Sequence, residues 1–252
     1  MRDYSTYPLA LVYDFRVTYG GIGDFLKYFM ICLHHCIQSK VRLSLFDHGI
    51  ELGTYIRLKY PEMYTREIYA HFVTPKDFYD DFHSHFCVPM QDVFYFTEEV
   101  LQHKERLFPI SVYNSMHVRL GDKHLETDSE YVHVKEDERI FSEENMYTCV
   151  QENRDLPLFF CCDNDTYKKN FSKKYGVSIA YTDIGHTSLT NTTSKQVLDA
   201  VTEFYILTQS KRVFAASESG FSMMAAKFYD IPFIPLYTKD TDLQCVDSSK
   251  PN

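Results

Sequence analysis

Three short segments of this chain carry residue types that could do chemistry together. The first, His117-Val118-Arg119-Leu120-Gly121-Asp122-Lys123 with Glu126 just beyond, brings one guanidinium, two carboxylates and an ammonium into a single stretch. An arginine presents a rigid fork of donors that suits phosphate. Asp122 or Glu126 could take a proton from a hydroxyl group, with Lys123 between them to hold the carboxylate or relay its proton. The second, Gly20-Gly21-Ile22-Gly23-Asp24, lets backbone approach a ligand and opens onto a helix whose unpaired N–H groups favour negative charge. The third, Ser217-Glu218-Ser219-Gly220-Phe221-Ser222, gathers hydroxyls and amides into a second anion site of the same kind. Each also has a plainer reading: a charged solvated loop, a tight turn needing positive φ, and a serine helix cap.

The glycine segment does not satisfy GxGxxG and has no acidic residue placed for a ribose, which argues against a nicotinamide cofactor. Asp163-Asn164-Asp165 has the spacing of a DxD metal pair, but no other ligand cluster accompanies it, so nucleotide recognition is preferred. In His83-Ser84-His85-Phe86-Cys87 alternate ligands share one strand face without a fourth partner, and zinc is not expected. The reading therefore includes neither a metal nor a bound cofactor.

Such segments need elements to aim them. An apolar run over 9–15 leads through the glycines into a helical pattern that continues to about residue 39, and a strand over 41–46 and a helix over 52–60 repeat the sequence of types. Strands at 67–73 and 93–96 and a helix at 97–107 complete a first half that stops at Pro109. The alternation then restarts. Strands are expected at 111–120, 158–162, 178–181, 212–216 and 233–236, and helices at 143–152, 165–174, 194–210 and 221–229. Strands separated by helix-length segments imply an α/β fold with mainly parallel sheets, here as two domains, 1–110 and 111–252. In such sheets ligands sit beyond the carboxyl ends of the strands, which is where all three chemical segments fall. The charged run over 126–139 reads as a loop above the acceptor or a solvated excursion.

Composition narrows the partners. The 252 residues carry 26 Lys+Arg against 35 Asp+Glu, a net charge of −9, which argues against binding nucleic acid. The longest apolar runs, over 9–13 and 25–33, are short or interrupted by Lys27, so no membrane span is expected. Nothing at the N-terminus reads as a signal peptide, which makes a cytoplasmic protein the expectation and leaves the sequons at Asn164, Asn170 and Asn191 without consequence. Seven cysteines without CxxC spacing, Cys161-Cys162 among them, read as buried thiols.

The three segments, with Phe159-Phe160-Cys161-Cys162-Asp163-Asn164-Asp165 and the block over 199–222, resemble the motifs of the fucosyltransferase-like superfamily in the same order. The glycine segment is similar to that family's N-terminal motif, and residues 117–123 resemble its HxRxGD or HVRxxDK segment. The resemblance covers about residues 12 to 236. It implies a GT-B-like enzyme of two Rossmann-like domains, acceptor side first and donor side second, that transfers sugar with inversion and without metal. Residue by residue, it places Arg119 on the donor β-phosphate, Ser219, Phe221 and Ser222 around the diphosphate, and Gly21 and Gly23 in the loop that approaches it. His117, Asp24 and Ser217 belong to the same donor site, with Asp163 near the base or ribose. Glu126 would be the base, Asp122 its rival and Lys123 the neighbouring lysine. The implied partners are a nucleotide-sugar donor and a glycan acceptor. GDP-fucose is the leading donor, a UDP-sugar such as UDP-xylose the alternative, and a non-catalytic glycan- or nucleotide-binding module of the same fold the reading from another class. If transfer is metal-independent, EDTA leaves the rate unchanged. A loss on chelation that Mn²⁺ or Mg²⁺ restores would instead make Asp163 and Asp165 metal ligands.

Overall fold

The computed structural model describes residues 7, 10–15, 20–46, 52–66, 86–126, 136–185 and 192–237. The chain begins with β1 (Ala10–Tyr13), α1 (Ile22–Gln38) and β2 (Arg42–Phe46). Helix α1 forms because Ile22, Phe25, Leu26, Phe29, Met30, Leu33 and Cys36 recur at helical spacing and bury a single stripe. Next come α2 (Leu52–Tyr55), β3 (Ile56–Leu58) and β4 (Tyr64–Thr65), then α3 (Met90–Val93), β5 (Phe94–Phe96) and α4 (Glu98–Leu107). Strands β1, β2 and β4 form one sheet with parallel pairings, whereas β3 and β5 pair antiparallel on their own.

That antiparallel pair corrects two expectations. The helix expected over 52–60 ends at Tyr55, because Ile56 and Leu58 are buried while Arg57 between them is exposed. A period of two overrides helical propensity there. The strand at 93–96 is present as β5 but does not extend the parallel sheet. The strand expected at 67–73 and the histidines of the 83–87 segment lie outside the described residues.

From residue 114 onward the elements follow the expected alternation: β6 (Asn114–Val118), α5 (Glu143–Glu152), β7 (Leu158–Cys162), α6 (Asp165–Tyr175), α7 (Ser194–Thr208), β8 (Val213–Ala215), α8 (Gly220–Phe228) and β9 (Phe233–Pro235). The strands make one parallel sheet in the order β7-β6-β8-β9. The stretch over 178–181 is not a strand; only Ser178 bridges to Phe159. Caps delimit the helices: Asn164 accepts from Tyr167 N at 2.7 Å to start α6, and Gly176 ends it with a φ of 73°.

Strands β6, β7 and β8 of the four-stranded sheet are buried on both faces. Met116, Val118, Phe160, Cys162 and Phe214 pack with Met146 and Phe171 on one side. Phe159 and Cys161 face a larger cluster that includes α1, α7, α8 and the aromatic residues of β5. Strands up to Phe96 and from Asn114 onward belong to different sheets, yet this larger core runs across both sets. Polar ties cross as well: Tyr55 O–H donates to Ser194 O, and His103 Nε2 lies 2.6 Å from Asp199 Oδ1.

No disulfide joins the described cysteines, and burial pushes the thiols of Cys161 and Cys162 well up, which is inert structural sulfur. Among the described helices none is long and apolar enough to cross a membrane. One charged cluster is fully interior. Lys168 Nζ lies 2.9 Å from Glu203 Oε1 and 2.7 Å from Thr182 Oγ1, and both charged side chains are buried. Breaking that pair by Lys168→Met leaves an uncompensated carboxylate, at a cost of about 3–5 kcal/mol of stability in urea unfolding. Adding Glu203→Leu is expected to return most of the loss. A single variant within 1 kcal/mol of wild type, a margin set by the rough scatter of such measurements, would show the pair to be dispensable.

Candidate functional site

Three strand ends meet at one loop. Leaving β6, Arg119 is fixed from the end of β8: Ser217 Oγ accepts from Arg119 N and donates to Arg119 O, both at 2.8 Å. From the end of β7, Asp163 accepts from Leu120 N at 2.7 Å and from Gly121 N at 3.1 Å. Burial raises the Asp163 pKa, against the lowering effects of Arg119 and those two amides. Gly121 adopts a φ of 107°, and a Cβ there would stand 2.3 Å from Asp137 O, so only glycine admits the segment that crosses it.

That segment, residues 136–139, follows a stretch outside the described residues and is stitched to the strand end by backbone. Lys123 N donates to Asp137 O at 3.1 Å, and Arg139 N donates to Leu120 O at 2.9 Å. Its side chains complete the charge pattern. Arg119 Nη2 donates to Asp122 Oδ1 and lies 3.4 Å from Asp137 Oδ2, which also accepts from Asp122 N at 3.3 Å. Asp137 Oδ1 is 2.8 Å from Arg139 Nε. Glu138 takes Lys123 Nζ at 2.6 Å and His124 Nε2 at 3.2 Å. Those two hydrogen bonds lower the Glu138 pKa.

Beside this loop two helix N-termini abut. A Cβ on Gly23, in the first turn of α1, would lie 2.5 Å from the carbonyl carbon of Gly220, which opens α8. Gly21 is the residue before α1, and neither it, Gly20 nor Gly23 has positive φ. Close approach, rather than a left-handed turn, is what glycine supplies at position 23. Asp24 sits in the same turn, 3.5 Å from Lys27. On α8, Ser219 Oγ accepts from Phe221 N at 3.3 Å and Ser222 O–H donates to Ser219 O at 3.3 Å. The Phe221 ring packs 5.1 Å from His117 and 5.1 Å from Phe204. His117 is thus sealed in, with Nδ1 buried and unpartnered. Burial first and Arg119 second lower its pKa to about 3, so the imidazole is neutral.

The structure therefore gathers Arg119, Asp122, Lys123, His117, Asp163 and Ser217 at one strand-end cluster, and joins it through the His117–Phe221 contact to Gly23, Asp24, Ser219 and Ser222. Two of the expected site residues also have structural partners. The Asp163 carboxylate holds the Arg119 loop through backbone amides. Glu126 caps α6: its Oε2 accepts from Asp165 N at 2.8 Å and from Thr166 N at 3.2 Å, where a negative charge suits the helix end. Asp165 pairs with Lys168 and Lys169, so the DxD spacing does not aim two carboxylates at one point. Asp137, Glu138 and Arg139 were legible only as part of a charged run.

No established family model matches the chain, and no curated protein matches it either. Solved structures do. The NodZ alpha-1,6-fucosyltransferase soaked with GDP-fucose superposes with a TM-score of 0.53 at 12% identity, over 87% of this chain and 92% of that one. The same enzyme with GDP gives 0.51 at 11% identity, over 86% and 91%. A point mutant of Arabidopsis thaliana FUT1 in complex with GDP gives 0.52 at 10% identity, over 92% and 71%. The chain has the fold of these GT-B fucosyltransferases.

The sealed imidazole has a measurable signature. Free histidine titrates near 6.5, so below that pH the unfolded chain binds a proton that folded His117 refuses until about 3. Stability is then lost as pH falls through this window, with a slope of up to ~1.4 kcal/mol per pH unit from this group. His117→Gln is expected to flatten that component of the pH dependence of unfolding. An unchanged slope in the variant would place the proton elsewhere.

Proposed function

We propose that the chain is a glycosyltransferase moving a sugar from a nucleoside-diphosphate donor, GDP-fucose foremost, to a hydroxyl group of a glycan, with inversion and without a metal. What supports this reading is the placement of Arg119: at the carboxyl end of a parallel strand whose His117 packs on Phe221, where two helix N-termini abut, in a fold shared with enzymes solved with GDP and GDP-fucose. Cleavage of the glycosidic bond to a diphosphate leaves negative charge on the departing oxygens. A fixed guanidinium and aligned helix amides stabilise that charge without reorganising. Donor binding is assigned to residues 111–252 and the acceptor to residues 1–110.

Inversion also needs a base opposite the leaving group. Both carboxylates expected to compete for that role are engaged, Asp122 on Arg119 and Glu126 on the first amides of α6. The carboxylate beside Lys123 is Glu138. It is exposed, its pKa is lowered by the hydrogen bonds from Lys123 and His124, and it is carried on the segment that touches the Arg119 loop. Glu138 is paired as well, but with exposed side chains, and exposed ion pairs are weak, so the base is assigned to Glu138, with Lys123 holding it.

Arg119→Ala is expected to abolish transfer with the fold intact. Glu138→Gln is expected to lower kcat by on the order of 10²–10⁴ at unchanged donor Kd, whereas Glu126→Gln mainly lowers the melting temperature by weakening its charged helix cap. The reverse split between the two glutamates would return the role to Glu126. The engagement of Asp122 and Glu126 also favours a second reading, a nucleotide- or glycan-binding module. GDP binding without turnover on any nucleotide sugar would establish it, and thermal-shift ranking of GDP against UDP decides the nucleotide.

A further inference from the structure

We propose that Arg139 is a second diphosphate-binding arginine, and that Asp137 is a built-in anion which occupies the site until a diphosphate displaces it. The inference rests on the donor chemistry proposed above. Asp137 places one carboxylate oxygen toward each of two guanidinium groups, Oδ2 at 3.4 Å from Arg119 Nη2 and Oδ1 at 2.8 Å from Arg139 Nε. A phosphate oxygen pair bridges two arginines in the same manner.

The fit of the carboxylate is incomplete. The 3.4 Å contact to Arg119 is long for a charge-assisted bond. Arg139 Nε is buried and, despite its ion pair, makes no hydrogen bond. Among the described residues, Arg119 Nε and Nη1 donate to nothing. Strong donors left unspent on two arginines, around one carboxylate too small to satisfy both, describe a site built for a larger anion.

Backbone geometry permits the exchange. The main chain at Asp137 is held by Lys123 N and that at Arg139 by Leu120 O, so both residues stay in register with the end of β6 while the Asp137 side chain rotates away. Asp122 remains on Arg119 and keeps its fork oriented. A diphosphate then gains two guanidinium groups, one for each phosphate, and the displaced carboxylate is 15% exposed before it moves.

Opposite signs separate this from a structural role for Asp137. Isothermal titration with GDP and with inorganic pyrophosphate would be run on wild type, Asp137→Asn, Arg139→Gln and the double variant, alongside melting temperatures. Asp137→Asn removes the competing charge and is expected to tighten GDP by about tenfold; Arg139→Gln is expected to weaken it by about tenfold and cancel the gain in the double variant. If Asp137 only props Arg119, Asp137→Asn weakens binding, and that result, or an unchanged affinity in Arg139→Gln, overturns the proposal. Should Asp137→Asn fail to fold, the Arg139→Gln titration alone decides. Pyrophosphate separates the two levels: its binding to Asp137→Asn in a chain that takes neither GDP nor UDP retains the arginine pair and removes the donor reading, whereas its failure to bind any form removes the pair.

Discussion

The contact between Gly23 and Gly220 is the constraint around which the site is arranged. Any Cβ at position 23 would enter the backbone of Gly220 and Phe221, at 2.5 to 2.7 Å. Glycine there lets α1, from the first half of the chain, and α8, from the second, begin at the same place. Two helix N-termini so close bring two partial positive charges together, an arrangement that is unfavourable by itself and becomes favourable around an anion. Asp24 and Ser219 offset part of it from within the chain. The proposed anion site is thus a product of where the halves touch.

The Arg119 loop is fixed by a different means. Three strands end side by side, and each contributes one tie: Ser217 on the backbone of Arg119, Asp163 on the next two amides, and Gly121 as the point where residues 137 and 138 cross. Such ties satisfy buried amides that have no ladder partner once the strand has ended. They also cost the protein two carboxylates, Asp163 here and Glu126 at α6, that their residue types alone would nominate for chemistry.

How far the sequence is legible follows from this. Elements whose periodicity and caps agree, such as α5 (Glu143–Glu152) and β7 (Leu158–Cys162), coincide with their expected bounds. At Tyr55-Ile56-Arg57-Leu58 a helical start gives way to an alternating pattern only because β5 is available to pair with β3, which is tertiary information. In the site, Arg119 stands out because a strand, a glycine and an aspartate frame it in one segment. The partners of Asp163 do not, since backbone amides leave no mark in sequence. Glu138 and Asp137 are hidden for a third reason: a charged run has no period, and its return to the strand end depends on the open space above Gly121.

The larger hydrophobic core has a consequence for how this chain could have been assembled. Tyr13, Phe25 and Phe94 belong to the same apolar cluster as Phe159, Phe204 and Phe228, so the two halves share one interior. Severed near residue 110, each piece would present to water the surface that the other now covers. Such halves are not interchangeable modules. Recombination with a foreign partner would have to supply a matching apolar face.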